Sequence, residues 1–362
     1  MEGRKTAARA FVHRGGGVRL AGTVIACDAA ASTDLVFLSH APAFALHARR
    51  ALPRLGGGRR QLLATELTLA LLGPVGQRLK GHALPAGYGR PFSLGDVRLE
   101  MFPSGFMPGA ASLLCEQGGR RIVYAGPVGA ESADVRAADA LCIDATYGSR
   151  ATVFPTRDQA LADVGRAVRD VLARGGAPVV LVDPVSVAVD VGAALAADRI
   201  GLCAHRAIVQ AAIAFRHAGL PAPPLQRFSG KVAPGEALLW PAGVRVPARR
   251  AGARPPGIIL VSPDADIGLG TLKGFPNPPA MMRGEQSSPA PHAPASPTLD
   301  GPRVVFPTAA DFAGLERYVV ATGASEVALI NAPGDELAGA LRARGIDAYA
   351  LGPPRQIDLF AA

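Results

Sequence analysis

Residues 97–127 read VRLEMFPSGFMPGAASLLCEQGGRRIVYAGP, and three short apolar runs lie within them, at 97–102, 111–115 and 120–125. Each is strand length and is bounded by Pro or Gly rather than extended into a helical period. Gly118-Gly119 separates the last two runs. Two glycines suit the positive φ of a tight hairpin turn, so these runs read as neighbouring strands. Upstream, apolar runs at 22–27, 35–39 and 61–72, again broken by Gly and Pro, extend a strand-rich layer, and 140–143 adds a strand downstream.

The pattern then changes period. Over 158–173, Leu161, Val164, Val168, Val171 and Leu172 fall on one helical face, with Arg166, Arg169 and Asp170 on the other, and Gly175-Gly176 stops the helix. A buried-strand run at 178–182, a small-residue helix at 187–197 and a helix at 208–218 ended by Gly219 make this part an α/β alternation. Residues 276–302 are Pro, Ser, Gly and Ala with almost no large apolar side chain, which predicts a disordered linker. Beyond it, a strand at 304–306, a helix at 310–322, a strand at 327–330, a helix at 335–344 and a strand at 348–351 restore α/β order, and 353–362 reads as an exposed tail.

A chain of 362 residues with 49% hydrophobic content is long enough for a large core split into two lobes. The first eleven residues carry Arg4, Lys5 and Arg9 with no apolar segment behind them, unlike a secretory signal, and Asp183, Asp190 and Asp198 interrupt the most apolar region. The expected location is the cytoplasm. Cys27, Cys115, Cys142 and Cys203 lack C-x-x-C spacing and read as buried free thiols rather than zinc ligands or disulfides. The formal charge of +9 is compatible with a nucleic-acid partner. It is carried almost wholly by Arg within an Ala, Gly, Pro and Arg bias, which gene base composition explains equally well.

In order along the chain, several segments resemble those of the metallo-β-lactamase-fold nucleases, specifically DNA ligase-associated exonucleases and RNA 3′-end processing factors with a β-CASP insert. Asp28, Asp34 and Ser39-His40 fall in the register of the family's opening, a strand ending in Ser/Thr-His-x-His-x-Asp-His. Residues 102–111 match its Pro-x-Gly-His-x-x-Gly-Ser/Ala-Ala segment, 122–127 its strand ending in Gly-Asp, and 144–148 its Glu-Ser/Ala-Thr-Phe/Tyr-Gly turn. Residues 307–315 are similar to its Ser-Asp-His-Ala-Asp-Trp-x-Gly-Leu segment, followed by Thr322-Gly323-Ala324 and Arg344-Gly345. The resemblance implies an α/β (α+β) fold, an αββα sandwich with an α/β insert. Its body spans 1–150 and 303–352, with the insert at 151–275, the linker at 276–302 and the tail at 353–362.

Active relatives hold zinc in a cluster of His and Asp that activates water. Here the resemblance implies that the cluster is lost. His40 remains, but Pro42, Phe44 and Ala45 stand where the second His, the Asp and the third His belong. Phe106 replaces the next His, Pro127 the bridging Asp, Ala309 the late His and Asn331 the final His. No catalytic residue, metal ligand or cofactor is therefore expected. Ser186-Val187-Ala188-Val189 likewise stands in place of the relatives' Gly-Lys-Ala-Gln turn, while His205 keeps its family position.

Other constellations read as structure. His40 and His47 are separated by Pro42, the glycine runs 15–17 and 56–58 lack the Lys-Ser/Thr of a phosphate loop, and Ser39, Ser104 and Ser186 lack a nucleophile-elbow context. The exception is the tail. Gln356, Ile357, Asp358, Leu359 and Phe360 resemble the bacterial sliding-clamp-binding pentapeptide, whose Gln anchors at a polar edge while Leu and Phe enter an apolar pocket. Pro353-Pro354 sets this segment apart. The leading expectation is thus a non-catalytic pseudo-nuclease, an adaptor in DNA repair or replication recruited by the sliding clamp, with DNA and other repair proteins as further partners. Two alternatives stand beside it: a residual or metal-independent nuclease or phosphoesterase on DNA or RNA ends, and a non-catalytic nucleic-acid-binding module.

Overall fold

The computed structural model describes residues 9–14, 17–29, 34–41, 61–182, 184–242, 244, 246, 256–264 and 301–352. The 276–302 linker, apart from 301 and 302, and the 353–362 tail lie outside them. The chain is a mixed α/β protein of two compact units, one formed by Met1–Val153 with Ala309–Ala362, the other by Phe154–Thr308.

The first unit contains two sheets. Strands β1 (Phe11–Arg14), β2 (Gly17–Leu20), β3 (Ile25–Cys27), β4 (Leu35–Phe37), β5 (Gln61–Ala64) and β6 (Ala83–Pro85) form one in that order, antiparallel through β3 and parallel from β3 to β6. In the other, β7 (Phe92–Leu94), β8 (Val97–Pro103), β9 (Ala111–Gln117) and β10 (Arg120–Gly126) run antiparallel. Strands β11 (Ala140–Asp144), β18 (Glu326–Ile330) and β19 (Asp347–Ala350) continue it in parallel. The glycine pair read as a turn joins β9 to β10, with φ of 58° at Gly118 and 79° at Gly119, values that glycine adopts without a Cβ penalty.

Alternation along the strands sorts side chains into layers. Leu35 and Phe37 of β4, Leu63 of β5, Leu113 and Cys115 of β9, Ile122 and Tyr124 of β10 and Ala140 and Cys142 of β11 share one cluster, the seam between the two sheets. Their neighbours face outward. Val36 and Leu62 meet Leu69, Leu72 and Leu79 of the short helices α1 (Glu66–Leu71) and α2 (Pro74–Leu79) and the turn between them. Leu114, Val123, Leu141 and Ile143 meet Phe312, Leu315 and Val319 of α6 (Phe312–Thr322) and Leu337 and Leu341 of α7 (Glu336–Ala343). The unit is therefore layered helix, sheet, sheet, helix.

Two expectations need correction. The apolar run at 61–72 is not one strand layer element but β5 followed by α1. Thr65 caps the helix by accepting from the Thr68 N–H at 3.1 Å, and this local cap overrides the run's strand-like composition. The strand expected at 304–306 in the C-terminal part of the body is β17 (Arg303–Val305), and it pairs instead with β16 (Pro256–Ser262) in the second unit.

That second unit has one all-parallel sheet ordered β14 (Gln226–Arg227), β13 (Gly201–Ala204), β15 (Glu236–Pro241), β12 (Ala177–Val182), β16 (Pro256–Ser262), β17. Helices α3 (Arg157–Ala173), α4 (Val187–Ala197) and α5 (Arg206–His217) pack on one face, burying Val164, Val168, Val191, Leu195 and Ile208 against Val180, Leu202, Leu239 and Ile259. Thr156 and Gln159 start α3 with a reciprocal capping box. All four cysteines are buried free thiols.

Candidate functional site

In the first unit the positions singled out from the sequence gather where strands end. Ser39 and His40 follow β4, Asp28 follows β3, Ser104 and Phe106 follow β8, Pro127 follows β10, Asp144 closes β11 and Asn331 follows β18. Pro42, Phe44 and Ala45 lie outside the described residues.

His40 is 8% exposed, and its ring nitrogen Nδ1 lies 2.8 Å from the Ser39 hydroxyl. That hydroxyl donates to Asp28 Oδ2 at 2.5 Å, and the Ser39 N–H donates to Asp28 Oδ1 at 2.8 Å. Having given its own proton to the carboxylate, the Ser39 oxygen is left to accept from His40 Nδ1, which places the lone pair on Nε2. Tyr124 adds a third donor to Asp28, Oη to Oδ2 at 2.9 Å. Asp28 holds a left-handed φ of 46°, which Asp and Asn tolerate better than larger side chains. Burial lowers the His40 pKa to about 4, against a smaller opposing pull from Asp144, so the ring is neutral at pH 7.

The substituted positions close around this relay. Phe106 meets the His40 ring edge-on, with centroids 5.0 Å apart and planes at 76°. Gly126 presses against Ser39 so closely that a Cβ there would lie 3.2 Å from both Cβ and Oγ, and its φ of 61° favours glycine as well. Pro127 follows it, and the next residue, Val128, accepts from the Ala310 N–H at 2.8 Å, which seats the buried Ala309 beside this turn. Asn331, at φ 58°, donates from Nδ2 to Asp144 Oδ2 at 2.8 Å, while Thr146 donates to Oδ1 from N (2.8 Å) and Oγ1 (2.6 Å). Thus Phe106 joins His40 and Asn331 joins Asp144. Tyr124 and Thr146 were not singled out from the sequence. The signal for Tyr124 was its inward place in the β10 alternation, which carries its hydroxyl to the strand end.

These side chains do not fit a zinc ion. Asp28 and Asp144 each have both carboxylate oxygens engaged by protein donors, His40 retains one ring nitrogen, and Phe106, Pro127, Ala309 and Asn331 bring no anionic or imidazole ligand. Among the described residues, no three His, Cys, Asp or Glu side chains gather as a metal-holding group. What the arrangement does chemically is satisfy its own buried polar atoms.

In the second unit His205 caps α5, its Nδ1 accepting from the Ala207 N–H at 3.2 Å, and packs on Trp240 with centroids 4.6 Å apart. Burial lowers its pKa, assisted by Arg206 and Arg227. Ser186 stands at the start of α4 and makes no side-chain cap bond. The tail residues Gln356, Ile357, Asp358, Leu359 and Phe360 lie outside the described residues. No described helix is long and apolar enough to cross a membrane. No protein-family model matches the sequence, and no curated protein matches it.

Proposed function

We propose that this chain is a metallo-β-lactamase-fold pseudo-nuclease with a β-CASP-like insert, working without metal chemistry as a cytoplasmic adaptor in DNA repair or replication. Its recruitment device is the tail, in which Gln356, Leu359 and Phe360 engage the sliding clamp. One observation carries the non-catalytic half of this reading: His40, the surviving member of the expected ligand set, is locked by Ser39 and Asp28 on one side and capped by Phe106 on the other. The helix–sheet–sheet–helix layering of the first unit supports the fold assignment, as does the placement of the resembling segments at strand ends.

The test is calorimetric binding of the full chain, and of a Gln356→Ala, Phe360→Ala variant, to the host's sliding clamp, beside a nuclease assay with zinc or manganese. The expected result is clamp binding that the variant loses and no cleavage. Cleavage of DNA or RNA that disappears in His40→Ala overturns the pseudo-nuclease reading, and absence of clamp binding overturns the adaptor reading.

A further inference from the structure

The second unit has an open surface hollow of about 590 Å³ where α4 and α5 end and β13 and β15 begin, with Arg199, Gly201, Arg216, Pro224 and Gln226 exposed around it. Ile200, Leu202 and Leu225 line it with hydrocarbon, while Arg199, Arg216 and Glu236 supply its charge. Its size falls within the usual range for small-molecule sites.

Arg199 occupies an unusual position. Among the described residues six helices end on or beside a residue of positive φ, and five of them use glycine: Gly73 after α1, Gly175 after α3, Gly219 after α5, Gly323 after α6 and Gly345 after α7. After α4 the residue is Arg199, at φ 59°, with the Ile200 N–H donating to Leu195 O at 3.1 Å to close the terminus. A Cβ at that φ is strained, so Arg199 stands where the backbone favours glycine. Nor is it consumed by a neighbour. Arg157, Arg166 and Arg169 of this unit each pair with an aspartate, whereas neither Arg199 nor Arg216 forms an ion pair among the described residues. Arg216 makes one long bond, 3.5 Å, to Pro223 O. Glu236 is turned to its own loop, Oε2 accepting from the Ala233 N–H at 2.9 Å.

We propose that this hollow binds a small amphiphilic carboxylate, its head group between Arg199 and Arg216 and its hydrocarbon body on Ile200, Leu202 and Leu225. Two guanidinium groups and one carboxylate leave one net positive charge, which matches a mono-anion better than a phosphate dianion. The planar guanidinium forks match carboxylate geometry, and the apolar floor removes hydrocarbon from water.

The test is titration calorimetry of the full chain with octanoate, octanol and inorganic phosphate as probes. Octanoate is expected to bind, octanol and phosphate at least about tenfold more weakly, as expected when one charge-assisted contact or the apolar contact is missing. Arg199→Gly is expected to weaken octanoate by about tenfold or more while leaving Tm unchanged or higher, because glycine relieves the positive φ; lost affinity then is not lost folding. Arg216→Gln is expected to weaken it similarly, and Arg174→Gln, outside the hollow, to leave it unchanged. No octanoate binding, equal affinity for octanol, or unchanged affinity in Arg199→Gly overturns the proposal. These readouts involve neither the clamp nor the first unit, so they stand apart from the pseudo-nuclease reading.

Discussion

Replacing Asp28 by Ala is expected to destabilise the first unit by about 3–7 kcal/mol. Asp28 accepts from the Ser39 N–H, the Ser39 hydroxyl and the Tyr124 hydroxyl, and both donor residues are 1% exposed. Once the carboxylate is gone, the Ser39 O–H can turn to His40 Nδ1 if the ring moves its proton to Nε2, but the Ser39 N–H and Tyr124 O–H are left without a partner. Each orphaned buried donor costs about 1–3 kcal/mol. Alanine at φ 46° adds about 1 kcal/mol, because it lacks the tolerance Asp has for that conformation. Asp28→Asn keeps one acceptor oxygen and the backbone preference, so about 1–2 kcal/mol is expected. Tyr124→Phe removes one orphan, and combined with Asp28→Ala it should recover about 1 kcal/mol relative to additivity, as expected for residues in contact. The assay is urea unfolding followed by far-ultraviolet circular dichroism, with hydrogen exchange of the Ser39 and Tyr124 amides. The single tryptophan, Trp240, reports on the other unit. A loss below about 1 kcal/mol for Asp28→Ala, or strict additivity of the pair, refutes the three-donor account.

Three further outcomes are expected. His40 has a folded pKa of about 4 against an ordinary 6.5, so the unfolded chain takes up the proton first as pH falls. Stability from this group is intact above pH 6.5, falls between 6.5 and about 4 by roughly 3 kcal/mol, and changes no further below that; His40→Gln should flatten this slope in urea titrations at stepped pH. Glu326, 8% exposed, accepts from the Ala10 N–H (3.0 Å), Tyr349 Oη (2.8 Å) and Arg120 (2.7 Å), so Glu326→Ala should lower stability by about 2–4 kcal/mol in thermal or urea unfolding. Asn331→Ala gives up the bond to Asp144 at a left-handed φ and should cost about 1–2 kcal/mol, whereas Asn331→Gly should cost less; equal losses would mean that the backbone conformation is not a factor.

Elements with clean periodicity were legible before the structure. The two-residue turn, β8 to β11, α3, α4 and the C-terminal α/β pairs follow from alternation, a 3.6 period and glycine stops. β13, with four residues, and β15, which ends in Pro241, are too short or too punctuated for period to distinguish them. Strands β6 and β7 have three residues each, half of them or more exposed, and exist only through pairing with β5 and β8. In the candidate site, the sequence located His40, Phe106, Pro127, Ala309, Asn331, Asp28 and Asp144 through resemblance, but not who bonds to whom. Asp28, Tyr124 and Asp144 are remote in sequence, and it takes the meeting of β3, β4, β10, β11 and β18 ends to pair Asp28 with Ser39 and Tyr124 and Asp144 with Asn331.

The insertion of the second unit into the first also sets a timetable. β11 waits for β18 as its parallel neighbour, and the Asn331 bond to Asp144 closes a separation of 187 positions. At typical rates of translation, about 5–20 residues per second, the far side of β11 stays bare for about 10–40 s on the ribosome. During that interval the nascent sandwich offers an unfilled groove beside β11, open to the same strand from a neighbouring ribosome's chain. Crowded polysomes and depleted chaperones are therefore the conditions under which this topology is most prone to swapped or aggregated products, whatever the stability of the finished protein.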